Sequence, residues 1–266
     1  KTALVTGSGR NIGRGIAHHL AASGGTVVLN GSQDWEACED VAEKVRSVGA
    51  KVAIEICDIG DRKAVLAMAA SALDKFGTVD ILINNAAIRP GGDFLEVSED
   101  DWNRVMDVNL TAAFHLCRAF MPGMIEKGWG RICNFTGMNA QMCGHSRPAV
   151  TVSKHAMWGL TKTLSRDYGP KGVTTNIISP GTFPDISVDT ATPDFEALRQ
   201  ANPSGRLGTP DDIAAAQSTA LSKREERAAR LRPTYARRGV HGLELRRHHL
   251  QALQQHRKLV LCHDYV

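Results

Sequence analysis

The first twenty residues, Lys1 to Leu20, read KTALVTGSGRNIGRGIAHHL: an apolar strand that breaks into a glycine-rich turn and then opens a helix. Gly7 and Gly9 tolerate positive backbone dihedrals and put no Cβ in the way, so the main chain can approach a pyrophosphate. Gly13 lets the helix pack closely on the strand, and the helix N-terminus turns its unpaired N–H groups toward the phosphates. The arrangement predicts a dinucleotide site formed by Gly7, Gly9, Arg10, Asn11, Ile12 and Gly13. The spacing is G-x-G-x-x-x-G, one residue longer than the usual fingerprint, and an ordinary glycine-punctuated turn would read the same way in isolation.

Strand and helix patterns alternate outward from this turn. Apolar, β-branched runs occur at Ala3 to Thr6, Thr26 to Asn30, Val52 to Ile56, Asp80 to Ile83, Arg131 to Phe135 and Val173 to Ile178, the signature of a buried parallel sheet. Helical segments lie between them at Gly13 to Ala22, Asp34 to Val48, Asp61 to Phe76, Glu99 to Glu126 and about Val150 to Tyr168, several opened by Ser or Asp caps. Right-handed crossovers place helices on both faces, so the fold class is α/β, a doubly wound parallel sheet of Rossmann type with ligands at the carboxyl ends of the strands.

At 266 residues, 42% hydrophobic and 23% charged, the chain has an ordinary globular composition. The charge is uneven. Residues 217–266 hold 11 Lys or Arg against 4 Asp or Glu, a net of +7, which leaves −3 for the rest of a chain whose net is +4. A slightly acidic body gives no reason to expect a nucleic-acid surface. No apolar run is long enough to span a bilayer, so no membrane partner is expected. The six cysteines lie far apart without a C-x-x-C pair, which argues against a zinc site or a disulfide framework and predicts no metal. With no signal-peptide pattern at the start, the expected location is the cytoplasm; Lys1 in place of a methionine suggests that native residues precede it.

From Lys1 to about Ala216 the chain resembles the short-chain dehydrogenases/reductases, on six features in order. Thr6-Gly7 through Gly13 is similar to the family's T-G-x-x-x-G-x-G turn, with Asn11 where the middle glycine is usual. Asp58, followed by Ile59, comes after the third strand, where the family contacts adenine. Asn84-Asn85-Ala86-Ala87 is similar to its N-N-A-G segment, with Ala87 for Gly. Asn109 matches the Asn of its catalytic set, Ser153-Lys154 its S-K pair, and Pro180-Gly181 the turn after the sixth strand. The resemblance implies cofactor contacts from Asn30, Asp58, Ile59, Asn85, Ala86, Lys154, Pro180 and Gly181 beside the glycine turn, and catalytic roles for Asn109 and Lys154.

It also implies an NAD(P)(H)-dependent oxidoreductase acting on a small carbonyl or alcohol substrate. In the family, hydride passes between nicotinamide and a carbonyl or carbinol carbon while a tyrosine hydroxyl moves the proton, a serine holds the oxygen, and a lysine lowers the tyrosine pKa and binds the ribose. The tyrosine stands four residues before the lysine, which here is Val150, and the serine thirteen residues before that, which here is Gly137. The expectation is therefore impaired or altered chemistry, the alternative a catalytically inactive NADP(H)-binding sensor or scaffold. Thr136 would replace the serine only if its strand shifted by one residue; His145 is a candidate proton donor in a polar loop, and His155 is expected off the catalytic face. Lys154 could otherwise be a solvated helix lysine, and Asn109 a residue that kinks its helix.

The second strand ends Asn30-Gly31-Ser32 with no acid before Asp34, and Arg10 resembles the basic residue of NADP-preferring members. NADP(H) is favoured; NAD(H) remains open if Asp34 reaches the ribose. Thr182 to Pro210 is read as the loop over the substrate. Two domains are expected: residues 1–216 as the dinucleotide-binding unit, and residues 217–266 as a divergent basic tail, replaced or read out of frame, with an amphipathic helix near Leu243 to Leu261. The family's last strand is expected to be missing, which would leave the sixth strand an exposed edge. Pairing through the two long helices would make a homodimer or homotetramer.

Overall fold

In the computed structural model, β1 (Thr2–Val5), β2 (Thr26–Gly31), β3 (Val52–Ile56), β4 (Ile81–Asn84), β5 (Gly130–Phe135) and β6 (Val173–Pro180) form a parallel sheet in the order β3-β2-β1-β4-β5-β6. The structure describes all residues except 139–142, 144, 145, 182, 185–188, 203, 222–258 and 262–266. The helices are α1 (Asn11–Ala22), α2 (Trp35–Ser47), α3 (Arg62–Phe76), α4 (Glu99–Met106), α5 (Ala112–Glu126), α6 (Pro148–Tyr168), α7 (Pro193–Ala201) and α8 (Pro210–Leu221). The doubly wound α/β sheet is as expected, and the strand order reverses between β1 and β4, the switch point at which such sheets bind ligands.

The period-two alternation of the strands sorts their side chains onto two cores. Leu4, Val28, Leu82 and Ile132 face one way, against Val65, Met68 and Ala72 of α3 and Leu116, Phe120 and Met124 of α5. Ala3, Val5, Leu29, Ile83 and Phe135 face the other, against Ile16 and Leu20 of α1, Val41 and Val45 of α2, and Ile213 of α8. Asp34, Asp61 and Ser98 cap α2, α3 and α4 by accepting hydrogen bonds from backbone N–H groups of the first turn, which satisfies otherwise orphaned donors.

Two expectations need correction. The single helix Glu99 to Glu126 is interrupted by a π-helical turn, Asp107–Thr111, between α4 and α5; periodicity cannot register one inserted residue in an otherwise helical run. The sixth strand is also not left unpaired. Leu259–Leu261 forms a short β7 antiparallel to it, with Ile178 opposite Leu261, Ser179 opposite Val260 and Pro180 opposite Leu259. A strand edge offers unsatisfied N–H and C=O groups, and the apolar triplet within the basic tail supplies their complement. The amphipathic helix expected near Leu243 to Leu261 falls mostly outside the described residues, and where it is described, at 259–261, the backbone is strand.

Candidate active site

The glycine turn is fixed from beneath by Thr6 and by Asn85, which the sequence assigned to the ligand. Thr6 Oγ1 donates to the Ile83 carbonyl (3.2 Å) and accepts from the N–H groups of Asn85 (3.0 Å) and Ala86 (3.1 Å). Asn85 Nδ2 donates to the carbonyls of Thr6 (2.9 Å) and Gly7 (3.0 Å). Gly7 has φ +61°, and a Cβ on Gly13 would stand 2.2 Å from the Gly7 carbonyl oxygen, so position 13 admits only glycine without moving the turn. Asn11, in place of the usual glycine, takes the left-handed φ of 46° that asparagine tolerates better than most residues.

Asn30 is likewise turned inward. Its Oδ1 accepts from the Gly7 N–H (3.3 Å), and its Nδ2 donates to the carbonyls of Gly31 (3.2 Å), Glu55 (3.1 Å) and Cys57 (3.1 Å), tying the ends of β1, β2 and β3 together. Asp34 is engaged as the α2 cap, accepting from the Ala37 N–H at 2.9 Å. Arg10 is exposed at the N-terminus of α1, and no carboxylate pairs with it among the described residues. Asp58 accepts from the Gly60 N–H (2.9 Å) and pairs with Arg104 of α4 at 2.8 Å; burial works against its charge, yet these bonds leave the carboxyl below its ordinary range. Ile59 is buried in the core beside it, while Pro180 is buried at the end of β6 and Gly181 is exposed just beyond.

The catalytic pair expected from the sequence lies at one place. Asn109 sits in the π-helical turn, buried, with Oδ1 accepting from the Ile88 N–H (2.9 Å) and Nδ2 donating to the Ile88 carbonyl (3.0 Å) and to Ser153 Oγ (3.1 Å). Ser153 Oγ donates in turn to the Val150 carbonyl at 2.9 Å. Lys154 is buried in α6, its Nζ donating to the Phe135 carbonyl at 2.9 Å, so it is no solvated helix lysine. Burial, with the Arg89 charge adding to it, pulls its pKa down to about 7. Val150 is buried one helical turn before Lys154, packed with Val105 and Ala149. Among the described residues, a Cβ on Gly137 would meet nothing within 4 Å.

The other candidates separate. Thr136 is buried and in register, its N–H donating to the Ile178 carbonyl at 3.0 Å, so the strand has not shifted. His155 is exposed, its ring bonded to the Thr151 carbonyl, away from the buried Lys154. His145 and Thr182 lie outside the described residues. Sequence reasoning missed Ser153 as a clamp, although its place beside Lys154 and one turn from Val150 was the available signal. It also missed Arg89 and Arg104, which no motif marks.

The residues present fit a dinucleotide. A turn with glycine at 7, 9 and 13 stands at the switch point; among the described residues the Arg10 guanidinium has no carboxylate partner and the Lys154 ammonium has a single acceptor. The five described cysteines are free thiols, and no cluster of metal-ligating side chains occurs among the described residues. No described helix is long and apolar enough to cross a membrane.

Comparison with known proteins agrees with this fold. The short chain dehydrogenase family model matches residues 1–193. The D-beta-hydroxybutyrate dehydrogenase of Rhizobium meliloti is 36% identical over 186 residues, which covers 68% of this chain and 70% of that protein. A 3-oxoacyl-acyl-carrier-protein reductase of Vibrio harveyi is 32% identical over 217 residues, covering 81% and 87%. A crystal structure from Beutenbergia cavernae, of a protein assigned as an NAD(P)-dependent gluconate 5-dehydrogenase with bound NADP, superposes with a TM-score of 0.76 at 32% identity, covering 84% of this chain and 89% of that one.

Proposed function

We propose, on the premise that this chain belongs to the short-chain dehydrogenase/reductase family, that it is an NAD(P)-dependent oxidoreductase of carbonyl or alcohol substrates that prefers NADP(H) and has a slow proton step. The observation that carries the reading is the set around α6: Lys154 and Asn109 are held in place, while the residue one turn before Lys154 is the aliphatic Val150.

The preference rests on the end of β2. Asn30 turns its amide onto the protein's own backbone, Asp34 is engaged through Oδ1 as the cap of α2, and Arg10 has no acidic partner among the described residues. When bound, the nicotinamide supplies or accepts the hydride. Lys154 holds the ribose, and Asn109 keeps Ile88 and Ser153 in register beside it. Neither Gly137 nor Val150 carries an O–H, so no side chain at these positions donates to a developing alkoxide; a positioned acid of this kind is worth roughly 10²- to 10⁴-fold in rate. The same observation favours a second reading, a cofactor-binding protein without turnover. Exposed Phe114 on α5 and Val152 on α6 support a homo-oligomer formed through the long helices.

Fluorescence titration with NADPH and NADH, followed by NADPH oxidation over a panel of ketones, tests both parts. NADPH should bind more tightly than NADH, with slow turnover; complete absence of turnover selects the second reading. Equal affinities would refute the preference, and vigorous turnover would refute the slow proton step.

A further inference from the structure

The loop that follows β3 is packed against the last turn of α4. Arg104 Nη2 donates to both oxygens of Asp58, at 2.8 Å to Oδ2 and 3.0 Å to Oδ1, and Oδ1 also accepts from the Gly60 N–H at 2.9 Å. Gly60 touches the same guanidinium. A Cβ there would overlap Arg104 Nη1 and stand 2.8 Å from Val108 Cγ2. The Gly60 backbone is not in the left-handed region, so its conformation alone does not call for glycine; the bare main chain is what lets Arg104 close on the loop. Ile59 and Val108 also share one buried core.

Both ends of this contact lead toward the cofactor site. Asp58 stands where the family resemblance puts adenine. Arg104 belongs to the helix that runs directly into the π-helical turn, where Asn109 follows Val108 and holds Ile88 and Ser153. A half-exposed ion pair contributes little to folding, and here the side chains are 45% and 41% exposed. What the arrangement fixes is a direction. With donors from Arg104 on both oxygens and from Gly60 on Oδ1, the carboxylate is held ionised and keeps acceptor capacity on Oδ2. A carboxylate so held accepts from an amino group on a purine and rejects a carbonyl in its place.

We propose that Arg104 is a positioning residue which, from the helix that leads to Asn109, aims the Asp58 carboxylate at the amino group of the cofactor's adenine. The inference rests on the dinucleotide reading for what meets Asp58, and it does not require turnover.

Fluorescence titration with NADPH and with its hypoxanthine analogue, in which a carbonyl replaces the amino group of adenine, reads the aim directly. The parent should bind NADPH about tenfold more tightly than the analogue, the ratio for one charge-assisted hydrogen bond. Arg104→Gln should bring that ratio below about threefold by weakening NADPH alone, and Arg104→Lys, which keeps a charged donor, should restore part of it. Gly60→Ala leaves Asp58 and Arg104 intact but displaces the guanidinium, so it should lose the ratio likewise. Because both changes break one contact, the Gly60→Ala/Arg104→Gln variant should lose no more of the ratio than either alone. A merely structural Arg104 would weaken both dinucleotides equally; that result, an unchanged ratio, or additive losses in the double variant would overturn the inference. Equal binding of the two dinucleotides by the parent would overturn it too, and all of these outcomes leave the dinucleotide reading intact. Failure of the parent to bind either one would refute that reading and the inference with it.

Discussion

Asn109 and Ser153 are joined by a 3.1 Å hydrogen bond that links the π-helical turn to α6 beside Lys154. Because the same Asn109 amide satisfies both backbone groups of Ile88, one side chain holds a loop and two helices in register. Asn109→Ala leaves the Ile88 N–H and carbonyl without their partner, a loss of about 1–3 kcal/mol for buried groups. Denaturant unfolding should show a destabilisation in that range, and NADPH titration a weaker affinity. Asn109→Asp, which keeps the acceptor for the Ile88 N–H but not the donors, should recover only part of both.

Gly13→Ala tests the tightness of the glycine turn. Its Cβ would stand 2.2 Å from the Gly7 carbonyl oxygen and 2.8 Å from Asn85 Nδ2, so turn and helix must separate. Overpacking of this kind costs about 1–3 kcal/mol. Thermal unfolding should show that loss, and binding of NADPH and NADH should fall together because the cradle itself is displaced.

Arg10 and Asn30 should behave differently in the same titrations. Arg10 is exposed and makes no ion pair among the described residues, so Arg10→Ala should weaken NADPH by about tenfold while sparing NADH. Asn30→Ala instead removes the clamp on Gly7, Glu55 and Cys57 and should weaken both dinucleotides in parallel, with a loss of stability. A changed NADPH to NADH ratio in Asn30→Ala would contradict the inward role assigned to it.

Lys154 gives the fold a pH dependence with a definite sign. Its pKa falls from 10.5 to about 7 on folding, so between those values the unfolded chain holds a proton that the folded chain does not. Stability without cofactor should therefore rise with pH across that window, by up to about 1.4 kcal/mol per pH unit, and the penalty is complete below about 7. Lys154→Met removes this contribution. Urea unfolding of both proteins at two pH values in the window should show the parent gaining on the variant by about 1 kcal/mol or more per unit. Parallel curves would contradict it, since the half-buried Cys57 and buried Cys117 thiols, pushed up to about 11 and about 12, are common to both.

The glycine turn and the six parallel strands were legible because each is written locally: Gly7 and Gly13 mark a backbone geometry, and an apolar run such as Val27 to Leu29 marks a strand buried on both faces. The positions of Asn109 and Lys154 were legible for a similar reason, as a spacing within recognisable segments. What the side chains do was less so. Asn30 and Asn85 sit where a ligand contact is expected, yet both amides turn onto backbone carbonyls, a choice set by strands distant in sequence. Asn109, in the π-helical turn, meets Ile88 21 residues away, a contact that exists only once the strand and the helix are assembled. The β7 pairing joins residues roughly 80 apart through an apolar triplet too short to stand out in a basic tail.

The central claim, that the site lacks a positioned proton donor at position 150, is tested most directly by steady-state NADPH oxidation over a ketone panel, comparing the parent chain with the Gly137→Ser/Val150→Tyr variant. No described residue stands within 4 Å of a Cβ at Gly137, and a residue at 150 stands one turn from Lys154, so the variant should turn over about 10²-fold faster or more. Parent turnover at the variant's rate would contradict the account.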